Sequence, residues 1–264
     1  MNKIVPFKSN YETVKKFETI AFWMLVFSAI IIAILWIVPK FDFSEQTKNL
    51  LYPLKGIIKA LSYVSMIGYL ALSMIAKYLF YSAEKMKRDD LIDNSFGTSY
   101  SEINSKGYYN NEDIPLGIKK LAINTYESSY HTEHTLKKML YKSSIKLLLL
   151  AVPFLLSVFT KGGDNIVRLL FEISIPTIMS LQLITILIYF IGVIALNERF
   201  KIELTNIGNK ELVLKDYSRL LIPVMEYYNV KSWATINLDG KVFLKYNEII
   251  SKQWIDRKDK LKLV

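Results

Sequence analysis

Cysteine is absent from the chain. That excludes a disulfide scaffold, a Cys-ligated zinc or iron–sulfur site, and a cysteine nucleophile. Only two histidines occur, His131 and His134. No P-loop, no G-x-G-x-x-G and no Ser–His–Asp order is found, so the common phosphate cradles and the hydrolase triad have no footing. No linker rich in Pro, Gly or Ser divides the chain, and no repeat of solenoid period runs through it. Hydrophobic residues make up 52% of the sequence at a mean hydropathy of +0.22. A disordered, low-complexity or collagen-like chain is therefore excluded.

What is present is segregated. Charged residues are 22% of the chain, yet four blocks carry none: residues 19–39, 60–76, 147–160 and 173–197. A helix rises ~1.5 Å per residue and the hydrocarbon core of a bilayer is ~30 Å, so about 20 residues span it. The first and fourth blocks meet that length unaided. The first holds 12 Ile, Leu, Val or Phe residues, which together favour insertion by roughly 5 kcal/mol. The second is bounded by Lys59 and Lys77, ~27 Å apart on a helix, so both ammonium groups can snorkel to opposite interfaces. The third requires Lys146 to snorkel and residues 143–145 to join the helix; the alternative is a re-entrant or interfacial segment. The first block is expected to remain in the protein. It is longer than the apolar region of a signal peptide, and Val38-Pro39-Lys40-Phe41-Asp42 follows it instead of a small-residue cleavage site.

The net charge is +10, and its distribution sets an orientation. Of 34 basic residues, 28 precede the first block, lie between the second and third, or follow the fourth; the other two connections hold 6. The positive-inside rule puts both termini and the second connection in the cytoplasm. The expected fold is an all-α membrane protein, a four-helix transmembrane bundle with a helical cytoplasmic part. Its segments are 1–81 (N-terminal segment and first two spans), 82–141 (cytoplasmic loop and helix), 142–198 (last two spans) and 199–264 (C-terminal cytoplasmic helical region).

Within the cytoplasmic part, the second span is expected to continue as a stalk and end near Asp93-Asn94-Ser95-Phe96-Gly97, where Gly97 can take positive φ. Pro115 opens a helical pattern of Leu116, Ile118, Leu121, Ala122, Tyr126 and Tyr130. After the fourth block, Leu212, Leu214, Tyr217, Leu220, Leu221 and Met225 recur at helical spacing, with Pro223 as an expected kink. The last segment places Val242, Phe243, Tyr246, Ile249, Ile250 and Trp254 on one helical face behind Asp239 as N-cap. A hairpin around Asp239-Gly240 is the alternative.

Several groups bear on chemistry. His131 and His134 stand at i, i+3, a spacing that can share a metal or simply make a polar helix face. Asp89 and Asp93 share a face and, with Asp90, could hold Mg²⁺ for a membrane-bound enzyme; a charge-balanced stalk is the competing reading. Ser62, Ser65, Tyr69 and Ser73 form a polar stripe on the second block, and Gln182, Thr185 and Tyr189 one on the fourth. Such stripes pack helices together or line water in an oligomer. No ionisable side chain sits inside any block, which counts against an ion-coupled transporter. The basic surplus inside suits anionic lipid or a cyclic nucleotide.

The words Lys87-Arg88-Asp89-Asp90-Leu91-Ile92-Asp93-Asn94-Ser95-Phe96-Gly97, Gly107-Tyr108-Tyr109-Asn110-Asn111-Glu112, Lys120-Leu121-Ala122-Ile123-Asn124 and Glu127-Ser128-Ser129, set between the second and third blocks, carry a resemblance. The chain resembles the four-transmembrane effectors associated with SMODS nucleotidyltransferases. The layout matches over most of the chain, and the words over residues 87–129. The resemblance implies a bacterial antiphage system that signals with cyclic oligonucleotides and an effector that damages the inner membrane. It marks Lys87, Arg88, Asp93, Asn94, Phe96, Tyr108, Tyr109 and Asn110 as candidate ligand contacts. It leaves open whether these bind ligand or hold the fold, and whether the nucleotide activates or restrains. The expectation is a non-enzymatic, multi-pass inner-membrane effector without a cofactor. Its expected partners are membrane lipid, a cyclic oligonucleotide and further copies of itself, but not DNA or RNA. A non-pore docking protein is the other alternative.

Overall fold

The computed structural model describes residues 4–38, 45–109, 111–159, 166–208 and 210–263. They form six helices: α1 (Lys8–Ile37), α2 (Glu45–Phe96), α3 (Ile118–Phe159), α4 (Ile166–Ile207), α5 (Leu214–Ala234) and α6 (Gly240–Lys260). No strand occurs among the described residues; an isolated antiparallel bridge joins Ile4 to Lys106. The all-helical expectation holds, and the hairpin alternative is displaced by α6, whose N-cap Asp239 accepts a hydrogen bond from Lys241 N. Among the described residues two helical stretches, Pro53–Phe96 and Thr177–Ile207, are long and apolar enough to cross a membrane. The sequence reading expected four. The first block runs into residue 39 and the third into residue 160, both outside the described residues.

The chain divides into two compact units. The smaller comprises Thr13–Tyr78 and Lys142–Ile184, with one stretch from each of α1 to α4. Leu25, Met66 and Met179 are buried there, with Tyr69 and Leu147 packed against them. The Ser28 and Ser62 hydroxyls meet at 2.9 Å in its interior. Gly68 leaves room for the end of the Met24 side chain, which a Cβ there would displace. The outward residues are large and apolar: Ile20, Trp23, Phe27, Ile30 and Ile34 on α1, and Ile57, Leu61, Val64, Ile67 and Met74 on α2. The interior mixes apolar groups with hydroxyls, while the outside carries large apolar groups that a water-soluble bundle would keep covered.

The larger unit comprises Met1–Glu12, Leu79–Tyr141 and Thr185–Val264. On α3, Ile118, Leu121, Ala122, Tyr126 and Tyr130 are buried as the periodicity predicted, while Leu116 precedes the helix and is exposed. Tyr189, Val193, Leu196, Phe200 and Leu204 give α4 one buried face. The C-terminal part of the fourth apolar block is thus partly protein core. α5 runs antiparallel to α4: Arg219 Nε lies 2.8 Å from Glu203, Arg199 2.6 Å from Glu226, and a Cβ on Gly192 would stand 3.1 Å from Val230. Pro223 lies inside α5 without ending it. The apolar face expected for α5 is corrected. Leu220, Pro223, Val224, Tyr227 and Lys231 are buried, whereas Leu214, Tyr217, Leu221 and Met225 are exposed. Partner helices select the face, and here they select the one that carries a lysine.

Candidate functional site

α2 continues unbroken from its apolar block to Phe96. It stops because Gly97 turns left-handed, at φ +72, and returns its N–H to Asp93 O at 2.8 Å. The last five turns of α2 carry five of the eight candidate ligand contacts, Lys87, Arg88, Asp93, Asn94 and Phe96.

Asp90 and Asp93 fasten the loop that follows. Asp93 Oδ1 accepts from Thr98 Oγ1 at 2.7 Å and from Tyr100 N at 2.8 Å; its Oδ2 accepts from Ser101 N at 2.7 Å and from the Ser101 hydroxyl. Asp90 accepts from Ser105 N at 2.6 Å and from Ser105 Oγ at 2.7 Å. Both carboxylates are buried, and the loop takes up their acceptor capacity. No group of three or more His, Asp or Glu able to hold a metal occurs among the described residues. His134 Nδ1 lies 3.0 Å from the Tyr130 carbonyl, and the His131 ring packs near Phe243.

Burial alone would raise the Asp93 carboxyl. The hydrogen bonds from Ser101, Tyr100 and Thr98 outweigh it and hold the pKa at about 2. The folded value lies below the unfolded value of ~3.9. The stability it contributes is therefore complete above the unfolded value and is lost as pH falls from about 4 through about 2. Asp93→Asn is expected to flatten this acid limb and to lower stability at neutral pH by about 2 kcal/mol. Unfolding of both proteins in detergent at pH 6 and pH 3 measures it; equal pH dependence in the two would refute the assignment.

The other words of the resemblance meet in one buried network. Asn111 Nδ2 donates to Asn124 Oδ1 and to Glu127 Oε2, both at 2.8 Å, and Asn124 Nδ2 donates to Asn94 Oδ1 at 2.9 Å. A second network joins Ser129, Asn197 and Glu133, with Asn197 Nδ2 2.6 Å from Glu133 Oε2. Asp93, Asn94 and Asn111 hold the loop and α3 onto the end of α2. Phe96 is exposed, and Asn110 lies outside the described residues.

One to two turns earlier on α2 the cations meet aromatic rings. Lys87 Nζ lies 5.5 Å from the Tyr108 ring centre and 6.0 Å from that of Phe7; the Arg88 guanidinium lies 5.9 Å from Tyr228. Tyr108 packs edge-on against Phe7 and against the buried Tyr109. Beside them is an ion pair that sequence reading missed. Glu84 Oε1 lies 2.8 Å from Lys231 Nζ and also accepts from the Tyr11 hydroxyl. Burial pushes the Glu84 carboxyl up, but the ammonium groups of Lys231 and Lys87 outweigh it and keep the carboxyl below its ordinary range. The available signal was an acid on the face of Phe80, Ala83 and Leu91, and a lysine on the face of Leu220, Val224 and Tyr227.

The polar stripes separate. Ser62 and Ser65 are buried, Ser62 against Ser28, and Tyr69 packs on the bundle core. Ser73 and Thr185 are half-buried, Gln182 is exposed, and Tyr189 is fully buried in the larger unit. The site therefore consists of a fastened loop, an aromatic-lined pair of cations and a buried ion pair, each of which uses residues of α2. No protein-family model, curated protein or solved structure matches the chain.

Proposed function

We propose that this protein is a multi-pass effector of the bacterial inner membrane with four spans and both termini inside. As a homo-oligomer it permeabilises that membrane in antiphage defence, under control of a cyclic nucleotide. The observation that carries the membrane part is the apolar exterior of the bundle, with Trp23, Phe27, Val64, Ile67 and Met74 outward and the hydroxyls of Ser28, Ser62 and Ser65 inward. In water those exposed groups would be costly; in hydrocarbon they are at home. Within the described residues the four uncharged blocks fall on α1, α2, α3 and α4 in turn, which fits the same reading.

The control part rests on α2. Lys87 and Arg88 are cations set against Tyr108 and Tyr228, a combination suited to phosphate and base. They stand on the helix that carries the second span. A ligand drawn to them biases the bundle only if it binds one state more tightly than the other.

The test is expression in bacteria with and without a cyclic-oligonucleotide synthase, read by a membrane-potential dye and by exclusion of an impermeant dye. A response to the signal is expected, and its loss in Lys87→Ala/Arg88→Ala with normal membrane insertion. An intact potential under every condition would sink the proposal.

A further inference from the structure

The outward face of α5 changes character along its length. Leu214, exposed by 88%, and the exposed Lys215 stand at its start. From residue 221 onward the exposed positions are Leu221, Ile222, Met225, Asn229, Ser232 and Trp233, none of them charged. The charged residues of that half turn elsewhere: Glu226 to Arg199 on α4, and Lys231 to Glu84 on α2.

Ion pairs fix the height of this uncharged end. On the membrane reading, on which this inference rests, α2 leaves the hydrocarbon at Lys77. Glu84 lies seven residues further, ~10 Å along the axis. Lys231 is level with Glu84. α5 runs antiparallel to α4, so Trp233 lies ~3 Å beyond Lys231 towards the membrane, about 7 Å from the level of Lys77. The headgroup layer is roughly 5–8 Å deep on each side. Tyr81, four residues past Lys77, stands at the same height and is 60% exposed; Trp233 is 57% and Tyr141 on α3 is 72% exposed. Exposed lysines stand one turn further from the membrane on the same helices, Lys85 beyond Tyr81 and Lys137 beyond Tyr141. Aromatic groups at the interface with cations behind them match an anionic leaflet.

We propose that the C-terminal end of α5 docks into the headgroup layer of the inner leaflet through Trp233, with Tyr81 at the same depth and Lys85 and Lys137 on anionic lipid. α5 is then held at one end by lipid and at the other by water. Through Lys231 it couples the leaflet to the stalk of α2.

The absence of cysteine makes the test direct. Trp233→Cys, Ser218→Cys and Val64→Cys each create a single labelling site for a nitroxide. The labelled full chain is placed in nanodiscs of phosphatidylethanolamine and phosphatidylglycerol. At position 233, collision with oxygen should exceed collision with a nickel chelate severalfold. At position 218 the order should reverse. Replacing phosphatidylglycerol with phosphatidylcholine should shift position 233 towards water, and Lys85→Gln/Lys137→Gln should do the same in the anionic discs. Water-like behaviour at 233 with lipid-like behaviour at 64 would overturn the docking and leave the spans standing. Water-like behaviour at both would overturn the membrane reading itself. Shielding of 233 from both reagents, with spin–spin broadening that vanishes on dilution with unlabelled chain, would give the face to a second copy and overturn the lipid assignment. Insensitivity to phosphatidylglycerol would overturn the role of the lysines.

Discussion

Lys231→Met should destabilise the protein by about 3–5 kcal/mol, the cost of stranding one member of a buried ion pair. Both side chains of the pair are only 5% exposed and their charged atoms are 2.8 Å apart. In the variant, Glu84 keeps the Tyr11 hydroxyl and the more distant Lys87 ammonium. Neither replaces a contact ion pair in a poorly solvated place. Its second oxygen, Oε2, has no hydrogen-bond partner among the described residues, so the carboxylate has no other local means of compensation. Glu84→Gln should cost less. It leaves Lys231 with the Tyr227 ring, 5.8 Å from its ammonium, and the amide can still accept from it. The double variant Glu84→Met/Lys231→Met should recover most of the loss, because apolar groups of similar volume have no charge to desolvate. Thermal unfolding in detergent decides this. At 2–4 °C per kcal/mol, the single variant should melt roughly 10 °C lower and the double variant within a few degrees of the parent. A double variant as unstable as Lys231→Met would mean that packing, not charge, is what the lysine supplies. The pair ties α1, α2 and α5 through Tyr11, Glu84 and Lys231.

Trp254→Ala should cost a similar amount, about 3–5 kcal/mol, by opening a cavity. Trp254 is fully buried and heads the largest side chains of the core. Its ring stands edge-on to Tyr126 at 5.0 Å and lies 5.9 Å from Tyr130, and Tyr126 in turn stacks on Phe200 at 5.5 Å. One turn later Arg257 places its guanidinium over both tyrosines, at 5.3 and 5.2 Å, and donates from Nε to the Tyr126 hydroxyl at 2.5 Å. Removing the indole therefore loosens α6 from α3 and α4 together. Trp254→Phe should restore more than half of the stability, since a phenyl ring fills part of the volume. Limited trypsin digestion gives an independent reading: Lys252, Arg257 and Lys260 should be cut faster in the alanine variant. Parental melting and digestion of Trp254→Ala would show that α6 is not anchored here.

Trp254 also shows how much of this protein was legible beforehand. Its place on one face with Val242 and Ile250, behind the N-cap Asp239, follows from helical spacing, and all three are buried. The end of α2 at Gly97 was equally legible, because a left-handed turn needs a residue without a side chain. Lys87 and Tyr108, read as neighbours in function, do stand together. Asp93 and Asn94 are candidate ligand contacts by the resemblance, yet their polar atoms serve the loop and Asn124. A sequence lists which groups can hydrogen-bond but not which of them will find each other.

The amino-acid order alone determined where α2 stops and that Val242, Ile250 and Trp254 share the inward face of α6, because each depends on residues within about a turn or two; Ile249, expected on the same face, is exposed. It could not determine that Glu84 meets Lys231 and Tyr11, that α5 buries Lys231 and leaves Leu214 and Met225 outside, or that half of an uncharged block serves as protein core. Those outcomes depend on partners far apart along the chain. Only when the helices pack does it become settled which face is covered and which charge must find a counterpart.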